Sequence, residues 1–429
     1  MAATDVVMPA DVVRTADGTP LKKKLRQAER RERMRALMLV APLFLFIVIS
    51  FLLPIGVMLR NAIYDPDIRE NLPLTAAALS AWDGLAVPGE ETFAALAADM
   101  KTANKNKTIG LVGKRLNYEI SALKSKVTST ARKIDKVTAG PWKEAFIAVD
   151  PVWNDVATWA VIKRSSSSLT PFYLLSVLDL RTSADGGIEH MPAERSIYVQ
   201  ILGRTLGISL LVTLCTLVLG YPVAFMLATL PQRHASILMI FVLLPFWTSL
   251  LVRTTAWTIL LQDGGALSQL LSFTGVSWLL EAFGLTDGPP QLNKSRFATV
   301  LAMTHIQLPF TLLPIYSVMK TISPTFMRAA KSLGATPFHA FRTVYMPQTL
   351  PGVAAGCLLT FILSLGYFIT PALVGGPSDN MIAGFIDSTM NVENNWGKAS
   401  ALGVVLLTAT LILYYVYNKL IGIDKMKLG

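Results

Sequence analysis

The stretch SPTFMRAAKSLGATPFHAFRTVYMPQTLPG, residues 323–352, decides how the rest of the chain is read. It carries Arg328, Lys331, His339 and Arg342 and no acidic residue, and it lies between two long apolar segments. Neither a membrane span nor a buried core strand has this composition. The pattern predicts a helix over 326–333 stopped at Gly334, because glycine accepts the positive φ that ends a helix. Pro337 suits the first turn of a second helix, where its missing N–H is not needed. That second helix is expected to end near Tyr345, ahead of Pro347. A helix–glycine–helix hairpin between two membrane segments is a surface built for a partner.

The flanking segments set the class. The 429 residues are 52% hydrophobic and 16% charged, with the apolar residues gathered in runs too long for soluble helices. A helix needs about 20 apolar residues to cross about 30 Å of hydrocarbon. Six stretches meet that length: 36–59, 205–230, 237–261, 297–319, 353–374 and 399–421. Backbone groups in lipid must be satisfied within the segment, so these are read as helices. The expected fold class is an all-α membrane protein with six transmembrane helices and a helical extracytoplasmic insert between the first two. Cys215 and Cys357 fall inside spans and read as small buried thiols. The first apolar run is too long for a cleavable signal peptide and lacks a small-residue cleavage site.

Charge sets the orientation. Eight basic residues lie between Lys22 and Arg35, directly before the first span. This places the N-terminus in the cytoplasm and explains much of the +11 net charge without nucleic acid as a partner. Arg233 and His234, then the hairpin, then Lys425 and Lys427 fall on the same side, so both termini are expected inside. Four parts follow: a cytoplasmic basic tail at 1–35, transmembrane helix 1 at 36–60, an insert at 61–195, and a core of helices 2–6 at 196–429. The insert holds eleven basic and two acidic residues over 101–143, but long loops cross the membrane largely regardless of charge. Leu116, Ile120, Leu123 and Val127 recur at helical spacing, 92–100 is alanine-rich, 153–162 carries Trp153 and Trp159, and Ser165 to Ser168 reads as a linker. The insert reads as a cap on the outer face or as a contact for a soluble binding protein.

Several chemistries are absent from the sequence. There is no GxxxxGK[ST] phosphate loop, no GxSxG elbow and no histidine pair at metal-ligand spacing. The six core stretches contain no Asp or Glu. Proton- and cation-coupled carriers usually keep intramembrane carboxylates for their relay. Their absence, with no internal repeat, counts against a secondary carrier. A non-transporting membrane scaffold with a binding ectodomain is the other alternative. If the chain moves solute, energy arrives through a partner, and the hairpin is where it would arrive.

The hairpin resembles the EAA loop of the permease subunits of type I ABC importers, whose pattern is EAAxxxG followed by IxLP. Ala329, Ala330, Gly334 and Pro347 match, Val344 and Met346 vary mildly, and Arg328 stands where the pattern has Glu. PFWTSLLVRTTAW in span three, and LGYFITPALVGGP, MIAGFI and NNW after it, are similar to the spermidine/putrescine permeases of the B type. The resemblance runs from about Tyr198 to the end and includes span one. It implies a multi-pass subunit of the bacterial inner membrane working by alternating access. It implies as partners two ABC ATPase subunits, a second permease subunit and a periplasmic solute-binding protein. ATP and Mg would be bound by the ATPase, so no cofactor, metal or catalytic residue is expected in this chain. Arg328, Ala329, Ala330, Gly334, Val344, Met346 and Pro347 are then the ATPase-coupling residues.

Trp247, Thr248, Arg253, Thr254, Trp257, Tyr367 and Thr370 are the candidate solute pathway. Trp247, Thr254 and Trp257 are expected on one face of a continuous helix with Leu250 and Leu261. Their aromatic rings can meet a cation or simply pack. Arg253 either faces a cavity or snorkels to the headgroups. Polyamine-type members often carry an acidic residue where this chain has Tyr367. The resemblance therefore implies a small nitrogenous solute, either polyamine-like or an opine or amino-acid derivative.

Overall fold

The computed structural model describes residues 21–183, 186–274 and 292–421. The features read at 1–20 and at Lys425 and Lys427 lie outside these residues. The chain divides into two units, Met1–Arg60 and Asn61–Gly429. The first is a helical rod built from Leu21–Ile47, a π-helical turn at Val48–Leu52 and Leu53–Asn61. The wide turn sits just ahead of Pro54, whose ring and missing N–H it accommodates.

Among the described residues five helices are long and apolar enough to cross a membrane, and six when one bent pair is taken as a single span. Three of them, Tyr198–Thr229, Arg296–Thr321 and Met346–Leu365, pack against one another. Small residues let them approach. A Cβ on Gly356 would stand 2.4 Å from the Thr311 carbonyl oxygen, and one on Gly352 would stand 2.9 Å from that of Pro314. At the same level Thr311 Oγ1 bonds Thr216 Oγ1 at 2.8 Å and Thr360 Oγ1 at 2.5 Å, so each helix contributes a hydroxyl. Small residues and interhelical hydroxyl bonds drive helix association where lipid supplies no hydrophobic force. The Arg296–Thr321 helix runs unbroken through Pro309 and Pro314.

The third span is not straight. Gln232–Trp247 and Leu250–Leu261 meet at 97°. The break follows from Pro245, which opens a 3-10 turn at Leu244–Trp247, and from Ser249, whose Oγ accepts from the Val252 N–H at 3.2 Å and caps the new helix. The continuous face expected for Trp247, Thr254 and Trp257 is therefore split, with Trp247 before the bend. The fifth span also differs from 353–374. Its helix stops at Leu365, and after Gly366 a short helix, Ile369–Val374, starts afresh. At the other end the span starts far earlier. Pro337–Ala340, a π-helical turn at Phe341–Tyr345 and Met346–Leu365 form one uninterrupted rod. No helix end occurs before Pro347, because the π turn moves the hydrogen-bond ladder to a longer register and accommodates the proline.

Residues between the first two long helices form a helical domain. Its core holds Phe93, Phe146, Trp153 and Trp159, all fully buried and in edge-to-face contact. Trp153 Nε1 reaches Thr130 Oγ1 at 3.0 Å and Trp159 Nε1 reaches the Trp153 carbonyl at 2.9 Å, so neither indole is left unsatisfied. The single helix expected through Leu116, Ile120, Leu123 and Val127 is instead two, Ile109–Asn117 and Leu123–Ile134. The chain turns between them at Ala122, whose φ is +66°. Both helices turn the same apolar residues to one core, which is why the spacing looked continuous. A two-stranded hairpin, Leu180–Thr182 with Ile188–His190, was not foreseen.

The two ends of the bundle differ. Tyr198 and Ile201 pack with Ala62, Tyr173, Val177, Ile382 and Leu402. Ala224 and Leu227, about 40 Å further along the same helix, pack with Met319 and Tyr345 beside the hairpin. The helical domain thus sits at one end and the hairpin at the other.

Replacing Gly356 by Leu should force the Thr311 backbone away. Detergent-solubilised protein is expected to lose about 1–3 kcal/mol of stability, read as a lower thermal midpoint. Trp153→Ala should cost about 3–5 kcal/mol within the helical domain. Limited proteolysis of membranes should then cut that domain faster and leave the spans intact.

Candidate functional site

The hairpin is built by its caps. Ser323 opens Pro324–Ser332 by accepting from the Thr325 N–H at 3.4 Å, and Thr336 opens the second helix by accepting from the His339 N–H at 3.3 Å. Between them Gly334 has φ +90°. The Gly334 N–H bonds the Lys331 carbonyl at 3.0 Å and the Ala335 N–H bonds that of Ala330 at 3.1 Å. This is the Schellman closure, and it needs a residue free to adopt positive φ. A Cβ on Gly334 would touch nothing, so conformation and not space demands glycine there.

The inner side of the hairpin is seated. Met327 and Phe341 pack against the cluster that holds Leu227, Ala235, Met319 and Tyr345. The outer side is bare: Phe326 is 51% exposed, Leu333 89% and Phe338 72%. Arg328 and Ala329 are exposed beside them, and Ala330 is half-buried. Among the described residues no carboxylate pairs with Arg328, Lys331 or Arg342. Val344 is half-buried in the π turn, with Met346 and Pro347 exposed just beyond it. These three therefore stand on the rod leading into the span, not on the turn.

Near the middle of the bundle a second group converges. The structure brings together Arg253, Thr254 and Trp257 from Leu250–Leu261 with Tyr367 and Thr370 from the segment after Leu365. Thr254 Oγ1 and Thr370 Oγ1 are 3.2 Å apart and both fully buried, so they tie the two elements and do not face a path within this chain. Arg253 is half-buried, and its Nε is buried without a hydrogen-bond partner. Trp247, 74% exposed, and Thr248 stay at the bend, outside this group. Sequence reading missed His305. Its Nδ1 accepts from Trp257 Nε1 at 3.2 Å. A lone imidazole in an apolar span, close in depth to an aromatic on a neighbouring span, was the available signal. Gln307 was missed too. It accepts from Ser364 Oγ at 2.7 Å, and its Nε2 is buried with no partner. The group offers a cation, N–H and O–H donors and two aromatic faces, with no carboxylate.

At the end opposite the hairpin the helical domain is keyed to the bundle. Arg115, 2% exposed, pairs with Asp65 at 2.5 Å and Glu119 at 3.0 Å, and its guanidinium lies 4.6 Å from the Phe172 ring centre. Burial, and then the Asp65 charge, push the Tyr173 hydroxyl up, so it stays protonated and donates to Asp65 Oδ2 at 2.7 Å. The Tyr173 ring lies against Gly397, where any Cβ would strike it, and Lys114 Nζ donates to the Asn394 carbonyl at 2.7 Å. The helical domain is thus fixed to the start of Trp396–Ile421.

A chain of a bacterial ABC transporter involved in the import of the acidic polysaccharide alginate superposes with a TM-score of 0.41 and 16% identity, over 54% of this chain and 80% of that one. In sequence, the spermidine/putrescine transport system permease protein PotB of Haemophilus influenzae is 32% identical over 229 residues, 53% of this chain and 77% of that protein. The inner membrane ABC transporter permease protein YdcU of Escherichia coli is 34% identical over 225 residues, 52% of this chain and 71% of that protein. Residues 208–421 match the family described as binding-protein-dependent transport system inner membrane component. The hairpin and the central group fall inside that match, and the helical domain falls outside it. The chain belongs to this family, the permease subunits of ABC importers.

Proposed function

We propose that this permease is driven by ATP hydrolysed in partner subunits that grip the 323–352 hairpin, and that solute crosses beside Arg253, Trp257 and Tyr367. The observation that carries the reading is the outer side of the hairpin. Phe326, Leu333 and Phe338 stand exposed among Arg328, Lys331 and Arg342, on a turn whose inner side is firmly seated. An apolar patch rimmed by charge is what a protein partner covers. The second hairpin helix is continuous with Met346–Leu365, so a push on the hairpin moves a whole span without an intervening hinge. That continuity supports alternating access by rocking of the spans.

In this reading the hairpin and both termini face the cytoplasm, and the 61–195 insert faces the periplasm. Two ATPase subunits, holding ATP and Mg, dock on the hairpins of this chain and of a second, different permease subunit. A periplasmic binding protein delivers the solute at the insert end. The names of the relatives support a small nitrogenous solute. Ala329 and Ala330 allow close approach of the ATPase, Gly334 holds the positive-φ turn that presents them, and Val344, Met346 and Pro347 carry the motion into the span. Arg328, where the family pattern has Glu, requires a complementary carboxylate on the ATPase.

Gly334→Ile should strain the positive-φ turn by about 1–2 kcal/mol. Solute uptake should be lost while the subunit remains in the membrane, and uptake at the wild-type rate would sink the coupling role. Arg328→Glu should lower ATPase co-purification roughly tenfold, equivalent to about 1.4 kcal/mol. Undiminished recovery of the ATPase would remove Arg328 from the contact.

A further inference from the structure

We infer that a small organic ammonium binds in a cavity between the helical domain and the start of the last span. The cavity has a volume of about 270 Å³. Four aromatic residues line it: Tyr64, Tyr118 and Tyr173 from the helical domain and Trp396 from the span. Tyr118 and Tyr173 meet edge to face with ring centres 6.4 Å apart, and Trp396 is exposed to solvent. Asp65 and Asp67 line the same space. Of these six residues only Trp396 falls within the family match at 208–421, so the cavity is made mainly by the domain that lies outside that match.

The two carboxylates are used differently. Asp65 is fully engaged: its Oδ2 meets Arg115 Nε at 2.5 Å and the Tyr173 hydroxyl at 2.7 Å, and its Oδ1 accepts from the Asp67 N–H at 3.2 Å. Asp67 is bonded only through its backbone. Its half-buried carboxylate has no ion pair or hydrogen bond among the described residues. The cations of the preceding helix are committed elsewhere. Arg115 is shared between Asp65 and Glu119, and Lys114, which also lines the cavity, gives its Nζ to the Asn394 carbonyl at 2.7 Å. Burial, and then the Asp65 charge, hold the Asp67 carboxyl above the usual carboxylate range, as expected of an anion without a counter-ion. An unpaired carboxylate among aromatic faces is the recognition chemistry of an alkylammonium: the carboxylate meets the charge and the rings attract it through their quadrupoles. The space suits a short alkylamine and is too small for a folded partner. In the orientation proposed above, the cavity opens on the side from which solute arrives. That placement rests on the proposed function, and the binding itself does not.

The test uses the full chain, purified from membranes in detergent with the subunits that accompany it, and no ATP. Radiolabelled putrescine is titrated by equilibrium dialysis, with tetramethylammonium and 1,4-butanediol as unlabelled competitors. Saturable binding is expected, displaced by tetramethylammonium and not by the diol, which has the same carbon chain without the charge. Asp67→Asn should weaken it about tenfold, the worth of one hydrogen bond to a charged group. Tyr118→Leu should weaken it about threefold through loss of a ring face. Lys114→Met removes a like charge from the cavity and should tighten binding, a direction that a folding defect would not give. The inference is overturned by absence of saturable binding, by displacement with the diol as effective as with tetramethylammonium, or by an affinity that Asp67→Asn and Lys114→Met both leave unchanged. Failure of the import reading looks different: uptake into vesicles would not respond to ATP, while this binding and its dependence on Asp67 would stand.

Discussion

Gly356 lies so close to the Thr311 carbonyl that no side chain fits between them, and the spacing of three spans follows from that contact. Lipid gives helices no hydrophobic reason to associate, so packing and polar contacts must do it. Gly356 and Gly352 bring Met346–Leu365 onto Arg296–Thr321, and the Thr311 hydroxyl on the latter bonds both Thr216 of Tyr198–Thr229 and Thr360 of Met346–Leu365. With this core fixed, the helical domain lies at one end of it and the hairpin at the other.

The hairpin and the helical domain use the core in opposite ways. The hairpin turns its apolar inner side onto the cluster around Leu227, Met319 and Tyr345 and leaves its outer side uncovered. Its second helix runs into a span through the π turn at Phe341–Tyr345, which admits Pro347 without breaking the rod. The helical domain instead closes on a core of its own and joins the bundle through Tyr173 against Gly397 and Lys114 against Asn394. The start of the last span and the helical domain are therefore in direct contact.

The central group owes its form to a broken helix. Pro245 and Ser249 turn the chain by 97°, and the second half of the span carries Arg253 and Trp257 inward while Trp247 is left behind. Thr254 and Thr370 pin that half to the Ile369–Val374 helix. The polar side chains then fall into two kinds: buried pairs that hold helices, and groups near Arg253 with donors still unused.

Composition and period alone determined the class, the polar hairpin and its glycine stop. These are set by local chemistry: the length of apolar runs, the position of charge, and the one residue that accepts φ +90°. Two local errors share a cause. A proline in sequence says that one backbone hydrogen bond is missing, but only the fold decides the outcome, whether a π turn before Pro347, a sharp bend after Pro245 or an unbroken helix through Pro309 and Pro314. In the helical domain, Leu116 and Leu123 shared a core without sharing a helix, because spacing records which residues are buried and not the path between them. Tertiary structure alone decided that Thr254 and Thr370 seal against each other, that Trp247 stands apart, and that His305 belongs with Trp257. Those depend on contacts between residues 48 to 116 positions apart, which no local pattern encodes.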